Sequence, residues 1–159
     1  MPIIRQEFLI AAPIDRVFDL ARSIDLHQVS TAQTKERAIA GRTSGLIELG
    51  ETVTWRAKHL GVYQQLTVRI TEMERPHFFV DEMVKGAFQG FRHQHIFEEV
   101  NGLTRMIDIF DYRSPLCWLG HLADWLFLED YMRRFLAQRN QVIKEFSEGE
   151  QWLQVLREE

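Results

Sequence analysis

A single cysteine, Cys117, is all the thiol chemistry this sequence holds, which excludes an internal disulfide and a cysteine-rich zinc site. No apolar run reaches membrane-spanning length. The opening residues Met1-Pro-Ile-Ile-Arg-Gln-Glu-Phe8 lack the apolar core of a signal peptide. Both absences point to a cytoplasmic protein without stable membrane insertion. Charge of one sign is missing too. Nineteen Lys and Arg are interspersed with 23 Asp and Glu, for a net charge of −4, whereas a nucleic-acid binder more often shows a basic face. No nucleic-acid partner is therefore expected. Gly41, Gly45 and Gly50 lack the Gly-Lys-Ser/Thr ending of a phosphate loop, and no linker, repeat or low-complexity stretch divides the chain. What remains is 45% hydrophobic and 26% charged, the balance of a soluble globular protein. A length of 159 residues fits one domain, 1–159, with a sizeable core.

The chain reads as a strand at Ile3–Ile10, then a short helix over Ala11–Ala21 with Pro13 near its first turn. A second short helix is capped by Ser23. Lys35–Ala40 is a weak strand, and Gly41–Gly50 a loop with a strand turn at Leu46–Leu49. Five strands follow, about Glu51–Leu60, Val62–Glu72, Phe78–Val84, Phe91–Val100 and Leu103–Arg113. They are separated by Leu60-Gly61, Arg75-Pro76, the Gly86–Gly90 stretch and Asn101-Gly102. Asn-Gly between alternating runs is the strongest short hairpin signal. From Gly120 to Phe146 the period becomes helical, with Leu122, Trp125, Leu126, Met132, Phe135, Leu136, Val142, Ile143 and Phe146 on one stripe. Trp152, Leu153 and Leu156 recur at helical spacing and make 147–159 a candidate docking tail. The order predicts an α+β fold: a curved antiparallel sheet of about seven strands wrapped around a long C-terminal helix, with two short helices after the first strand.

Several strands carry ionisable residues on the face that should be buried. Successive strand side chains alternate between faces, so Glu51 and His59 share a face with Val53, Trp55 and Ala57. His93 and His95 likewise share one with Phe91 and Phe97. A histidine in an aromatic face is costly unless it has a partner or a wet cavity, so the sheet is expected to cover a partly polar pocket. If Asn101-Gly102 is a two-residue loop, facing residues sum to 203, and His95 lies opposite Asp108 on the face of Met106, Phe110 and Tyr112. A register pairing Val84 with Phe91 puts Glu82 opposite His93. The expected ligand-binding set is Glu51, Trp55, His59, Glu82, His93, His95, Asp108, Phe110 and Tyr112, with His93 and His95 as acid–base candidates. The same residues could instead form an internal network that only satisfies polar groups. Two histidines at i and i+2 beside carboxylates also match metal-ligand chemistry. Ion pairing can consume such partners, so neither metal nor cofactor is expected. Cys117, between leucines and tryptophan, reads as a small buried hydrophobe, and no nucleophile system is supported.

The order of elements, with Ala12-Pro-Ile-Asp-Arg-Val-Phe18, Gly45–Trp55, Phe91-Arg-His-Gln-His95 and Tyr112-Arg-Ser-Pro-Leu116, resembles the START-like or SRPBCC superfamily. That superfamily has the helix-grip fold of the birch pollen allergen, and these segments look like its bacterial polyketide cyclase-like or ligand-binding branch. The resemblance spans nearly the whole chain. It implies an internal cavity for a small hydrophobic or aromatic molecule bearing polar groups, in a monomer or homodimer. The alternatives it leaves open are a cyclase or dehydratase using a cavity histidine as acid–base, and a non-catalytic interaction or regulatory module. Fold alone does not choose among these.

Overall fold

The computed structural model describes residues 2–114, 122 and 127–157. Seven antiparallel strands form one sheet: β1 (Ile3–Ile10), β2 (Arg37–Gly41), β3 (Thr52–His59), β4 (Val62–Glu74), β5 (Phe78–Lys85), β6 (Gly90–Val100) and β7 (Leu103–Arg113), in the order β1-β7-β6-β5-β4-β3-β2. The helices are α1 (Ile14–Ala21), α2 (Ile24–Ser30), α3 (Glu129–Glu148) and α4 (Trp152–Val155).

Local chemistry sets the boundaries. Pro13 sits in extended conformation just before α1, where its missing N–H costs nothing. Ser23 caps α2, its hydroxyl oxygen accepting from the Leu26 N–H at 3.1 Å. Asn101 (φ 51°) and Gly102 (φ 80°) close the β6–β7 hairpin. Two residues with positive φ match the twist of the flanking strands, and this turn pins Val100 against Leu103 and His95 against Asp108, as expected. Gly41 ends β2 where a Cβ would stand 2.2 Å from the Thr52 carbonyl oxygen. The expected strand turn at Leu46–Leu49 reduces to a single bridge between Leu46 and Ser23, because the loop runs against the start of α2 and not along a strand.

The helix expected over Gly120–Phe146 lies partly outside the described residues, including Trp125 and Leu126; its observed part continues to Glu148. Glu129 and Asp130 stand in its first turn, where negative charge meets the positive end of the helix dipole. Helix α3 packs against α1, α2 and β1. Ile143 joins Val53, Trp55, Val68, Phe18, Phe79 and Phe97 in one core, and Met132 and Leu136 join Ile4, Phe110 and Tyr112 in a second. Phe18 stands edge-on to Phe79 and Phe97 at 5.6 and 5.4 Å, the geometry that aromatic quadrupoles favour. The tail docks on its own chain. Trp152 lies under the Arg16 guanidinium at 4.0 Å and packs with Val155 and Leu156 against the main core.

Leu136 and Ile143 are each at most 4% exposed. Truncating either to alanine should cost about 2–5 kcal/mol, read from urea denaturation. A loss below about 1 kcal/mol at both would mean that α3 is not clamped by the sheet.

Candidate functional site

Between the inner face of the sheet and α3 lies a cavity of about 360 Å³, a size within the range of small-molecule sites. Most of its wall is apolar, with Trp55, Leu66, Val68, Phe79, Phe91 and Phe110 from the strands and Leu136 from α3. Leu60 at the β3–β4 turn and Phe127 before α3 also line it and are 65% and 51% exposed, so the cavity reaches the surface there.

One wall is ionised. His95 is 2% exposed. Its Nδ1 lies 2.8 Å from Asp108 Oδ1 and its Nε2 lies 2.8 Å from Asp81 Oδ1. A carboxylate offers only acceptors, so both ring nitrogens donate and His95 is an imidazolium. Burial pushes its pKa down, but the Asp108 charge and the two hydrogen bonds outweigh that and hold it above its ordinary value. Asp108 is 1% exposed. It also accepts from Asn140 Nδ2 at 2.6 Å and Arg139 Nη1 at 3.4 Å. Burial alone would raise its pKa; the His95 and His93 neighbours reverse this and hold it well below the usual carboxylate range. Burial likewise opposes ionisation of Asp81, and the hydrogen bond and charge of His95 reverse it, so its pKa too is lowered. Two carboxylates are thus matched by Arg139 and the His95 imidazolium.

His93 differs. Its ring lies against His95 with centroids 3.9 Å apart. Its Nδ1 is 3.8 Å from Asp81 Oδ1 and its Nε2 3.6 Å from Asp108 Oδ2, beyond hydrogen-bond distance, and Nε2 is buried without a partner. Burial first, and then the neighbouring His95 charge, push its pKa down. The pair therefore holds one fixed cation and one neutral imidazole. Near the mouth, His59 Nδ1 meets the Tyr131 hydroxyl at 2.8 Å, and burial lowers the His59 pKa.

Of the residues expected at the site, Trp55, His59, His93, His95 and Phe110 line the cavity. Asp108 stands behind His95, and Tyr112 is fully buried beside Ile4 and Phe110. Glu82 does not meet His93. The β5–β6 register is one residue off the expectation: Asp81 faces His93, and Glu82 faces Arg92. A slip of one reverses every side chain of a strand, and the four residues 86–89 that join β5 to β6 are not a two-residue turn that would fix it. Glu51 lies before β3, accepting from the Glu48 N–H at 2.8 Å beside Arg42 at 3.2 Å, because the strand starts at Thr52 and the loop recruits the carboxylate. The residues that sequence reasoning missed are Asp81, Glu36, Tyr131, Arg139 and Asn140. Arg139 and Asn140 do carry a signal, since they follow Leu136 by three and four residues on its own helix face.

Seven antiparallel strands gripping a C-terminal helix over an internal cavity define a helix-grip α+β fold. Comparison with solved structures gives the particular likenesses. TTHA0849 from Thermus thermophilus superposes with a TM-score of 0.74 at 18% identity, over 91% of this chain and 95% of that one. Protein CV1439 from Chromobacterium violaceum gives 0.68 at 10% identity, over 94% and 99%. The ginseng major latex-like protein 151 from Panax ginseng gives 0.63 at 13% identity, over 92% and 97%. These are likenesses of fold. No family model and no curated protein matches the sequence. Among the described residues, no helix is long and apolar enough to cross a membrane.

The two histidines should titrate on opposite sides of about pH 6.5, the value of a free imidazole: His95 above it and His93 below it, by NMR. His95, with a raised folded pKa, contributes stability that is complete below about pH 6.5 and fades as pH rises through its folded value. Asp81 and Asp108, with lowered values, contribute above about pH 4 and lose it as pH falls through theirs. Asp108→Asn should lower the His95 pKa and cost about 3–5 kcal/mol near pH 6. Its stability deficit should shrink as pH rises past the His95 titration. A deficit independent of pH between about 6 and 9 would refute the ion pair.

Proposed function

We propose that this protein binds a small hydrophobic or aromatic molecule bearing polar groups in the cavity between sheet and helix. The observation that carries the reading is an ionised cluster in the wall of a mostly apolar cavity, with the neutral His93 beside it outside hydrogen-bond distance of either carboxylate. Apolar walls hold many greasy molecules with little discrimination. A buried polar atom left unpaired by the wrong ligand costs about 1–3 kcal/mol, enough to select among ligands of one size. The polar contact falls to His93 and not to His95, whose two nitrogens are already committed.

The same observation favours one second reading, an enzyme of the cyclase or dehydratase type. A neutral imidazole keeps one basic ring nitrogen and is a competent general base, whereas a clamped imidazolium is not. His93 would then abstract or return a proton, and the His95 imidazolium beside it would stabilise developing negative charge.

His93→Phe separates the readings. A binding protein should keep its affinity for naphthalene and lose about 5- to 150-fold for 2-acetylnaphthalene, followed by ligand fluorescence. Native mass spectrometry of the purified protein supplies the natural ligand. On that molecule an enzyme should retain binding and lose about 10²–10⁴-fold in kcat. A folded variant unchanged for every ligand would make His93 structural and overturn both readings.

A further inference from the structure

The cavity carries a second polar group, on a wall separated from β6 by three strands. Lys35 takes a left-handed conformation (φ 54°), and the following residue, Glu36, is turned inward to line the cavity with 6% exposure. Its Oε1 lies 3.0 Å from His27 Nε2, and the His27 ring is held over Trp55 at 4.2 Å. Burial pushes the Glu36 carboxyl up, but the charge and hydrogen bond of His27, with His59 and Arg139 further off, outweigh it and keep its pKa below the ordinary value. An ionised carboxylate can only accept, so His27 Nε2 is the donor of that bond. The other oxygen, Oε2, is buried and has no hydrogen-bond partner.

Two donor groups nearby already have partners. His59 Nδ1 is held with Tyr131. Arg139 donates to Asp108, to Asn140 Oδ1 at 2.9 Å and to the Ala21 carbonyl at 3.1 Å. A buried carboxylate oxygen without a donor bears the desolvation cost of its charge uncompensated, and it stands in the wall of a site built to take a molecule.

We propose that Glu36 is a second ligand anchor, its Oε2 accepting a hydrogen bond from a hydroxyl group on the bound molecule. This rests on the small-molecule reading of the cavity and narrows it to ligands that present a donor toward α2 and β2. The terminal torsion of a glutamate is broad, so the carboxylate can turn Oε2 toward the donor without moving the backbone. A hydroxyl fits better than an ammonium, because the Arg139 charge that reaches Glu36 also repels a cation.

The test uses 2-naphthol, 2-methoxynaphthalene of nearly the same size, and naphthalene, titrated by fluorescence into wild type, Glu36→Gln and His93→Phe. Wild type should bind 2-naphthol about 10- to 100-fold more tightly than the methyl ether, as for a hydrogen bond to a charged group. In Glu36→Gln the amide oxygen stays on the His27 donor and turns an NH₂ group to the position of Oε2. The preference should then vanish or reverse toward the ether, while naphthalene affinity stays unchanged. An equal preference in wild type and Glu36→Gln, or a preference lost only in His93→Phe, overturns the assignment to Glu36 and leaves cavity binding intact. Failure of all three probes to bind wild type overturns the cavity reading and this inference with it.

Discussion

The structure depends on the clamping of His95 between Asp81 and Asp108. Both ring nitrogens of a nearly inaccessible histidine point at carboxylate oxygens 2.8 Å away, so three adjacent strands, β5, β6 and β7, meet at one protonated ring. The clamp extends to the helix. Asn140 and Arg139 of α3 donate to Asp108, Arg139 reaches the Ala21 carbonyl at the end of α1, and Asn140 reaches Gln6 of β1 at 3.3 Å. The grip of the sheet on its helix is thus polar at this point and apolar on either side, where Ile143 joins one core and Leu136 the other.

Stability alone does not account for such a cluster. Desolvating two carboxylates, a guanidinium and an imidazole costs several kcal/mol per ion, and replacing buried ion pairs with packed hydrophobic residues is often neutral or stabilising. Removing one member is expensive only because it strands the others. What the cluster does is fix side chains in one arrangement at a cavity wall. His95 cannot turn, so the neighbouring His93 is held against it with its own nitrogens outside hydrogen-bond reach, in a setting where burial and a nearby cation keep it neutral. An apolar interior of this size could have closed around aliphatic side chains. Here it stays open along a wall that cannot be filled by carbon without leaving polar atoms unpaired.

The parts legible in the sequence are those where periodicity and turn chemistry agree. Asn101-Gly102 set the β6–β7 register and with it the His95–Asp108 pair. Ser23 announced α2, and the Met132–Phe146 stripe announced α3. The unread parts share a cause. Asp81 was hidden because the β5–β6 connection is not a two-residue turn, and a register not pinned by a tight turn is free to slip by one; the slip put Glu82 outside and Asp81 inside. Arg139 and Asn140 sit on the buried stripe of α3, but a charged residue on such a stripe looks like an interruption until its partner across the interface is known. Glu36 gave no periodic signal at all, since a single left-handed residue before a short strand sets its direction.

The two polar walls are not equivalent, and the difference follows from what each lacks. Around Asp108 every acceptor is met and the surplus is a neutral imidazole, amphoteric and able to face either a donor or an acceptor. Around Glu36 the surplus is a bare carboxylate oxygen, which can face only a donor. A molecule spanning both would be read in one orientation, because exchanging its ends would set an acceptor against the carboxylate. The cavity opens past Leu60 and Phe127, both largely exposed hydrophobics, so an apolar edge could remain at the mouth while polar groups go to the walls. On the proposed reading, the orientation of a bound molecule would be set by hydrogen-bond polarity inside and by hydrophobic contact outside, two constraints that act on different atoms and do not compete.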